Sequence, residues 1–196
     1  MRQEVDRCAG ALDAAGEGKK VAVICSGDPG IYAMAGLVFE IAREKDQLTD
    51  IEVVPGIPAL SACASRLGAP LMHDFASISL SDLLTPWELI EKRLEAAASA
   101  DFVIVIYNPK SKGRPDNINK ARDMVLKFRP EETPVGIVKG ASRAHETVVI
   151  TDLKNMLDAD IDMQSTVIIG NSQTFTWNDR MVTPRGYGRK YKLGSD

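Results

Sequence analysis

Several residue types and patterns are scarce in this sequence, and each scarcity removes a class of protein. Only 3 cysteines and 2 histidines occur in 196 residues. Cys8, Cys25 and Cys63 are too few and too far apart for a disulfide framework or a CxxC metal site. Each sits inside an apolar stretch, so buried free thiols are expected. His73 and His145 lack the HExxH and HxxxH spacings, and neither a Gly-x-Ser-x-Gly elbow nor a Walker A sequence occurs. No protein-bound metal is therefore expected. No apolar run approaches the roughly 20 residues of a membrane span, and Met1 to Asp13 is charged rather than signal-like. A cytoplasmic protein without a membrane anchor is expected. A surplus of positive charge is missing as well: 24 Lys+Arg against 27 Asp+Glu leave a net charge of -3. That balance argues against nucleic acid, whose phosphates demand a clustered excess of cations. Any anionic partner must be met by local charges.

What is present is the material of a folded core, 44% hydrophobic and 26% charged. Met1, Val5, Cys8, Leu12 and Ala15 form the stripe of an amphipathic helix ending at Gly16 and Gly18. Val21 to Cys25 reads as a strand of a sheet covered on both faces, followed by the turn Ser26 to Gly30 and a helix over Ile31 to Arg43. Ile51 to Val54 repeats the pattern, with the turn Pro55 to Pro58 and a small-residue helix over Ala59 to Leu67. Such alternation predicts an α/β fold with right-handed crossovers. Phe75 to Leu80 is a further strand. Thr85-Pro86-Trp87-Glu88 then combines a capping-box spacing with proline at the first helical position. A domain boundary is placed there, giving domains 1–84 and 85–196. Beyond it come a strand over Phe102 to Tyr107, a helix over Asp116 to Phe128, and strands at Val135 to Lys139, Val148 to Thr151, Thr166 to Gly170 and Arg180 to Thr183. The last of these are closely spaced, which suggests partly antiparallel pairing.

Gly- and Pro-rich turns follow strand ends at Ser26 to Gly30, Pro55 to Pro58, Asn108-Pro109 and Gly140-Ala141. In open α/β sheets ligands bind outside such ends, where backbone N–H groups are free and glycine lets a ligand approach. Asp28 fits two roles, a helix N-cap or a ligand contact. Lys110, Lys112 and Arg114 share one loop, and Lys139 and Arg143 flank another strand end. They form either solvated charged loops or a clamp for carboxylate or phosphate. His145 reads as a hydrogen-bonded loop residue sooner than a base. With no nucleophile constellation, catalysis by positioning remains, and alignment of two reactants can supply roughly 7 to 11 kcal/mol.

Read together, six motifs resemble the tetrapyrrole methylase family. They are Ser-Gly-Asp-Pro-Gly-Ile-Tyr at 26–32, Val-Val-Pro-Gly-Ile-Pro-Ala at 53–59 and Ser-Leu-Ser-Asp-Leu-Leu-Thr-Pro-Trp at 79–87. Ile-Tyr-Asn-Pro-Lys-Ser at 106–111, Val-Gly-Ile-Val-Lys-Gly-Ala at 135–141 and Ile-Ile-Gly-Asn-Ser-Gln-Thr at 168–174 complete the set. The first two are shared across the family. The 79–87 block and the Tyr107-Asn108-Pro109 turn point to the branch that methylates C-17 of precorrin-3B or cobalt-precorrin-3, with ring contraction, in cobalamin biosynthesis. The resemblance implies a homodimer of two-domain chains: an N-terminal, mainly parallel-sheet domain and a C-terminal mixed-sheet domain, with S-adenosylmethionine in the cleft between them. Carried over by motif, its contacts are Ser26, Gly27, Asp28, Ile31, Pro58, Ala59, Asn108, Gly140 and Ala141. Many relatives carry threonine where Pro58 stands, so a backbone contact from Ala59 is the part that survives. Lys110, Lys112, Arg114, Lys139 and Arg143 become candidates for the carboxylates of a small-molecule tetrapyrrole substrate. No residue is assigned to proton transfer.

The family also opens with a strand and a Gly-x-Gly-Pro-Gly-Asp loop, which this sequence does not contain. The first strand of the N-terminal sheet is therefore expected to be missing. Two other readings follow from these features: a sibling methyltransferase acting at another position, because two turns are general, and a non-catalytic fragment, because the Gly-rich loop is absent.

Overall fold

The structure is a computed structural model that describes residues 3–194. Met1, the first residue of the expected helical stripe, lies outside the described residues. The chain divides into two compact units, 1–59 and 60–196. The boundary that the sequence places near Leu83 to Pro86 lies within the second unit, where strands on its two sides pair with each other.

In the first unit, α1 (Glu4–Gly16) packs on α2 (Ala35–Glu44). Cys8, Leu12 and Ala42 are the buried side chains of this small interface. The amide of Gln47 donates to the Leu12 carbonyl at 2.7 Å, and Lys45 pairs with Asp13 at 2.5 Å. The expected strands Val21 to Cys25 and Ile51 to Val54 form no ladder, so the N-terminal parallel sheet is not built within this unit. A buried strand needs partners for its backbone and cover on both faces, and here Ile24 and Val54 stay 80% and 69% exposed. Cys25 is exposed for the same reason, which corrects the expectation of three buried thiols; Cys8 and Cys63 are buried. Helix α2 starts at Ala35 rather than Ile31, because Tyr32 takes a left-handed φ of 52° that no α-helix accepts.

The second unit is built on a five-stranded mixed sheet. Its strands are β2 (Phe75–Ser79), β3 (Val103–Tyr107), β4 (Pro134–Lys139), β5 (Thr147–Asp152) and β6 (Ser165–Ile169), in the order β2-β3-β6-β4-β5. Only β2 and β3 run parallel; β6 is antiparallel to β3 and β4, and β5 to β4. Side chains alternate across the sheet, as the pleat requires. Ile104 and Ile106 enter one core with Ile90 and Leu94 of α4 (Trp87–Ser99) and Ile118 and Val125 of α5 (Asn117–Val125). Val103 and Val105 enter the other, with Leu60, Cys63 and Leu67 of α3 (Ala59–Leu67). That second core also holds Met181 of a three-stranded sheet, β1-β8-β7, formed by Gly68–Ala69, Arg180–Val182 and Phe175–Trp177. The sequence reading missed β7. Its signal was the Asn178-Asp179 pair, both at positive φ, which makes the two-residue hairpin turn to β8.

The start of α4 holds but its cap does not. Pro86 is the N-cap, one residue before the first helical position, and no side-chain cap bond forms. At the start of β3, the buried guanidinium of Arg129 donates to the carbonyls of Phe102 and Gly170 and ties the start of β3 to the end of β6. Burial lowers its pKa from the ordinary arginine value.

Gly136 in β4 sits under α3, where a Cβ would lie 2.3 Å from Leu67 Cδ1. Leu67 is fully buried and has no room to give. Gly136→Ala should therefore destabilise the protein by about 1 to 3 kcal/mol as overpacking, read as a lower urea midpoint with an unchanged slope.

Candidate functional site

In the first unit the two Gly-Pro turns are locked by one side chain. Asp28 accepts from the Gly30 amide at 2.8 Å through Oδ1 and from the Gly56 amide at 3.0 Å through Oδ2. These bonds, that of Gly56 foremost, hold its carboxyl below the usual carboxylate range. Glycine is compulsory at 56, since a Cβ there would lie 2.1 Å from the Gly27 carbonyl oxygen. Gly27 takes φ of 81° and runs alongside Ile57 and Pro58. Asp28 is no helix cap, because α2 begins seven residues later behind Met34. The clasp thus brings Ser26, Gly27, Asp28 and Pro58 into one cluster, with Ser26 and Gly27 exposed and Asp28 and Pro58 half-buried.

In the second unit, β3 and β4 point the same way with β6 between them. The turns after them, at Asn108 and Gly140, therefore leave the same edge of the sheet, and the end of β2 joins them. Asn108 has φ of 51°, and its amide nitrogen donates to Ser79 Oγ at 2.9 Å. The hydroxyl of Tyr107 accepts from the Leu60 amide at 2.8 Å, so the end of β3 holds the first turn of α3. Gly140 has φ of 60°, and a Cβ there would meet the His145 ring at 2.8 Å. His145 is a hydrogen-bonded loop residue, 2.8 Å from Gln164 Oε1. Ala141 packs on the second core. Glu146 accepts from the Ser142 amide at 2.5 Å and from Arg66 at 3.0 Å, fixing this loop to α3. Both bonds lower its pKa, the backbone one more. The sequence singled out Tyr107 only as part of its turn motif and assigned Glu146 no role, because the partners Leu60 and Arg66 are distant in the chain.

The five candidate cations divide. Lys110, Lys112 and Arg143 are exposed and make no ion pair among the described residues. Arg114 donates to Ser81 Oγ at 2.5 Å and Ser111 Oγ at 3.1 Å and lies 3.5 Å from Asp82. Lys139 pairs with Asp160 at 2.6 Å and Asp162 at 2.8 Å, and these bonds raise its pKa. No helix among the described residues is long and apolar enough to cross a membrane.

The pattern of turns at strand ends has counterparts among known proteins. Residues 2–157 match the model for Tetrapyrrole (Corrin/Porphyrin) Methylases. The chain belongs to this family. A cobalt-factor III methyltransferase from Priestia megaterium is 56% identical over 98% of this chain, which spans 36% of that relative's length. A probable cobalt-factor III C(17)-methyltransferase of Salmonella typhimurium is 49% identical over 95% of the chain and 78% of its own length. Among solved structures, the methyltransferase CobJ superposes with a TM-score of 0.87 at 37% identity, over 93% of this chain and 77% of that one. The cobalt precorrin-4 methyltransferase CbiF gives 0.67 at 27%, over 87% and 71%. The α/β fold with mixed sheets is that of these methylases.

Asp28→Asn places an amide N–H where a backbone amide needs an acceptor. Loss of either bond should speed hydrogen exchange at the Gly30 or Gly56 amide by about tenfold or more. Because the carboxyl pKa is lowered, the clasp's contribution is complete above the ordinary carboxylate value, about 3.9, and disappears as pH falls through the lowered one. Exchange at these two amides should thus show no added opening from pH 5 to 8.

Proposed function

We propose that this chain is an S-adenosylmethionine-dependent methyltransferase that alkylates C-17 of cobalt-factor III or its metal-free counterpart, with ring contraction, in cobalamin biosynthesis. The observation that carries the reading is the Salmonella relative, because the 49% identity extends over 95% of this chain and 78% of that relative. The names of that relative and of the Priestia megaterium protein favour the cobalt-containing substrate.

S-adenosylmethionine supplies an activated methyl group on a sulfonium. The protein then has to align the nucleophilic carbon with that methyl and keep water out. Ser26, Gly27, Asp28, Ile31, Pro58 and Ala59 are the contacts proposed in the first unit, and Asn108, Gly140 and Ala141 in the second. Asp28 suits a hydroxyl or amine of the donor because it is ionised, only half-buried and held by two backbone amides. Lys110, Lys112 and Arg143 are the stronger substrate candidates, since their charges are uncommitted. Arg114 and Lys139 would bind only by sharing partners they already have. A cytoplasmic homodimer belongs to the same proposal.

Titration calorimetry with S-adenosylhomocysteine should give saturable binding, weakened by about tenfold or more in Asp28→Ala. With donor and cobalt-containing tetrapyrrole, the product should carry one added methyl at C-17 by mass spectrometry and NMR. No homocysteine-adduct binding overturns the donor assignment, and methylation at another carbon favours a sibling enzyme.

A further inference from the structure

The bonding of Ser79 has a direction that its sequence context does not reveal. A serine hydroxyl carries one proton and two lone pairs. Its Oγ accepts from Asn108 Nδ2 at 2.9 Å and from the Ser81 amide at 3.2 Å. Both acceptor positions are filled, and the remaining proton has no acceptor among the described residues. Ser79 is only partly covered, and it stands at the end of β2, beside the end of β3 in parallel register with Tyr107. The carboxyl ends of parallel strands are where α/β sheets bind ligands.

The surroundings keep the hydroxyl in this state. The Leu80 amide donates to the Tyr107 carbonyl at 2.9 Å, and buried Asn117 donates to the Leu80 carbonyl at 2.9 Å. Arg114 holds Ser81 through its hydroxyl. Ser79 is thus fixed as a donor. The loop that leaves the neighbouring strand carries Lys110 and Lys112, both exposed and with no ion pair among the described residues. A lone donor at a sheet edge from which a lysine-bearing loop leaves favours an anionic oxygen.

We infer that Ser79 is a ligand-binding residue whose hydroxyl proton is donated to a carboxylate. The inference rests on the proposed function, which offers two sources of that carboxylate: the methionyl end of the methyl donor and the acidic side chains of the tetrapyrrole.

The test titrates the unaltered chain, Ser79→Ala and Ser79→Thr with three probes. These are S-adenosylhomocysteine, methylthioadenosine, which lacks the carboxylate, and the polycarboxylate uroporphyrin III. Ser79→Ala should weaken at least one carboxylate probe by about tenfold or more and leave methylthioadenosine unchanged, while Ser79→Thr, which keeps the hydroxyl, restores binding. A loss with S-adenosylhomocysteine identifies the methionyl carboxylate, and a loss with uroporphyrin III a tetrapyrrole carboxylate. Unchanged binding of both overturns the inference. So does equal weakening of all three probes, which marks Ser79 as a support for Asn108 alone. If the unaltered chain binds neither carboxylate probe, the proposed function falls and takes this inference with it.

Discussion

The second unit depends on the burial of β3 between β2 and β6. Val103 to Ile106 are fully buried, and their side chains alternate into two separate cores. One strand therefore fixes the positions of α4 and α5 on one face and α3 on the other. Burial of four β-branched side chains contributes roughly 1.5 to 3 kcal/mol each, which sets this strand against local opening. Its two ends then acquire different tasks. At the start, Arg129 satisfies the carbonyl of Phe102; at the end, Tyr107 and Asn108 reach out to α3 and β2.

A rigid strand leading into a polar turn is a suitable base for ligand contacts, because positional error at the turn is small. The positive φ of Asn108 and Gly140 directs the chain sharply away at the shared edge of the sheet. Glycine has unequal meanings in these turns. At 56 it allows two backbones to touch, and at 140 it makes room for the His145 ring. In both places the small residue serves the packing of the protein on itself, which shapes the surface that a ligand would meet.

Electrostatics follow the same division between internal and external use. Asp28 binds two backbone amides, Glu146 binds an amide and Arg66, and Lys139 is held by two aspartates. Each of these groups fixes a loop. A chain of net charge -3 is left with few uncommitted cations on the loops after β3 and β4, and Lys110, Lys112 and Arg143 are the ones that its candidate site retains.

The family, the α/β class and nearly every element of the second unit were legible in the sequence. Helical periodicity, apolar runs and ordered motifs are local signals, and the long apolar strand at 102–107 can satisfy its side chains in few other ways. The turns at 26–30, 55–58, 108 and 140 were legible too, since glycine and proline act on the backbone of their own residues. Tertiary structure decided the rest. It left Val21 to Cys25 and Ile51 to Val54 without partners, turned Asp28 from a possible cap into a clasp, and engaged Arg114 and Lys139 with neighbours from distant segments. It also gave the Ser79 hydroxyl its direction. A strand, an ion pair and a hydrogen-bond donor each require a partner, and the partner's position is set by the fold, not by the residues on either side.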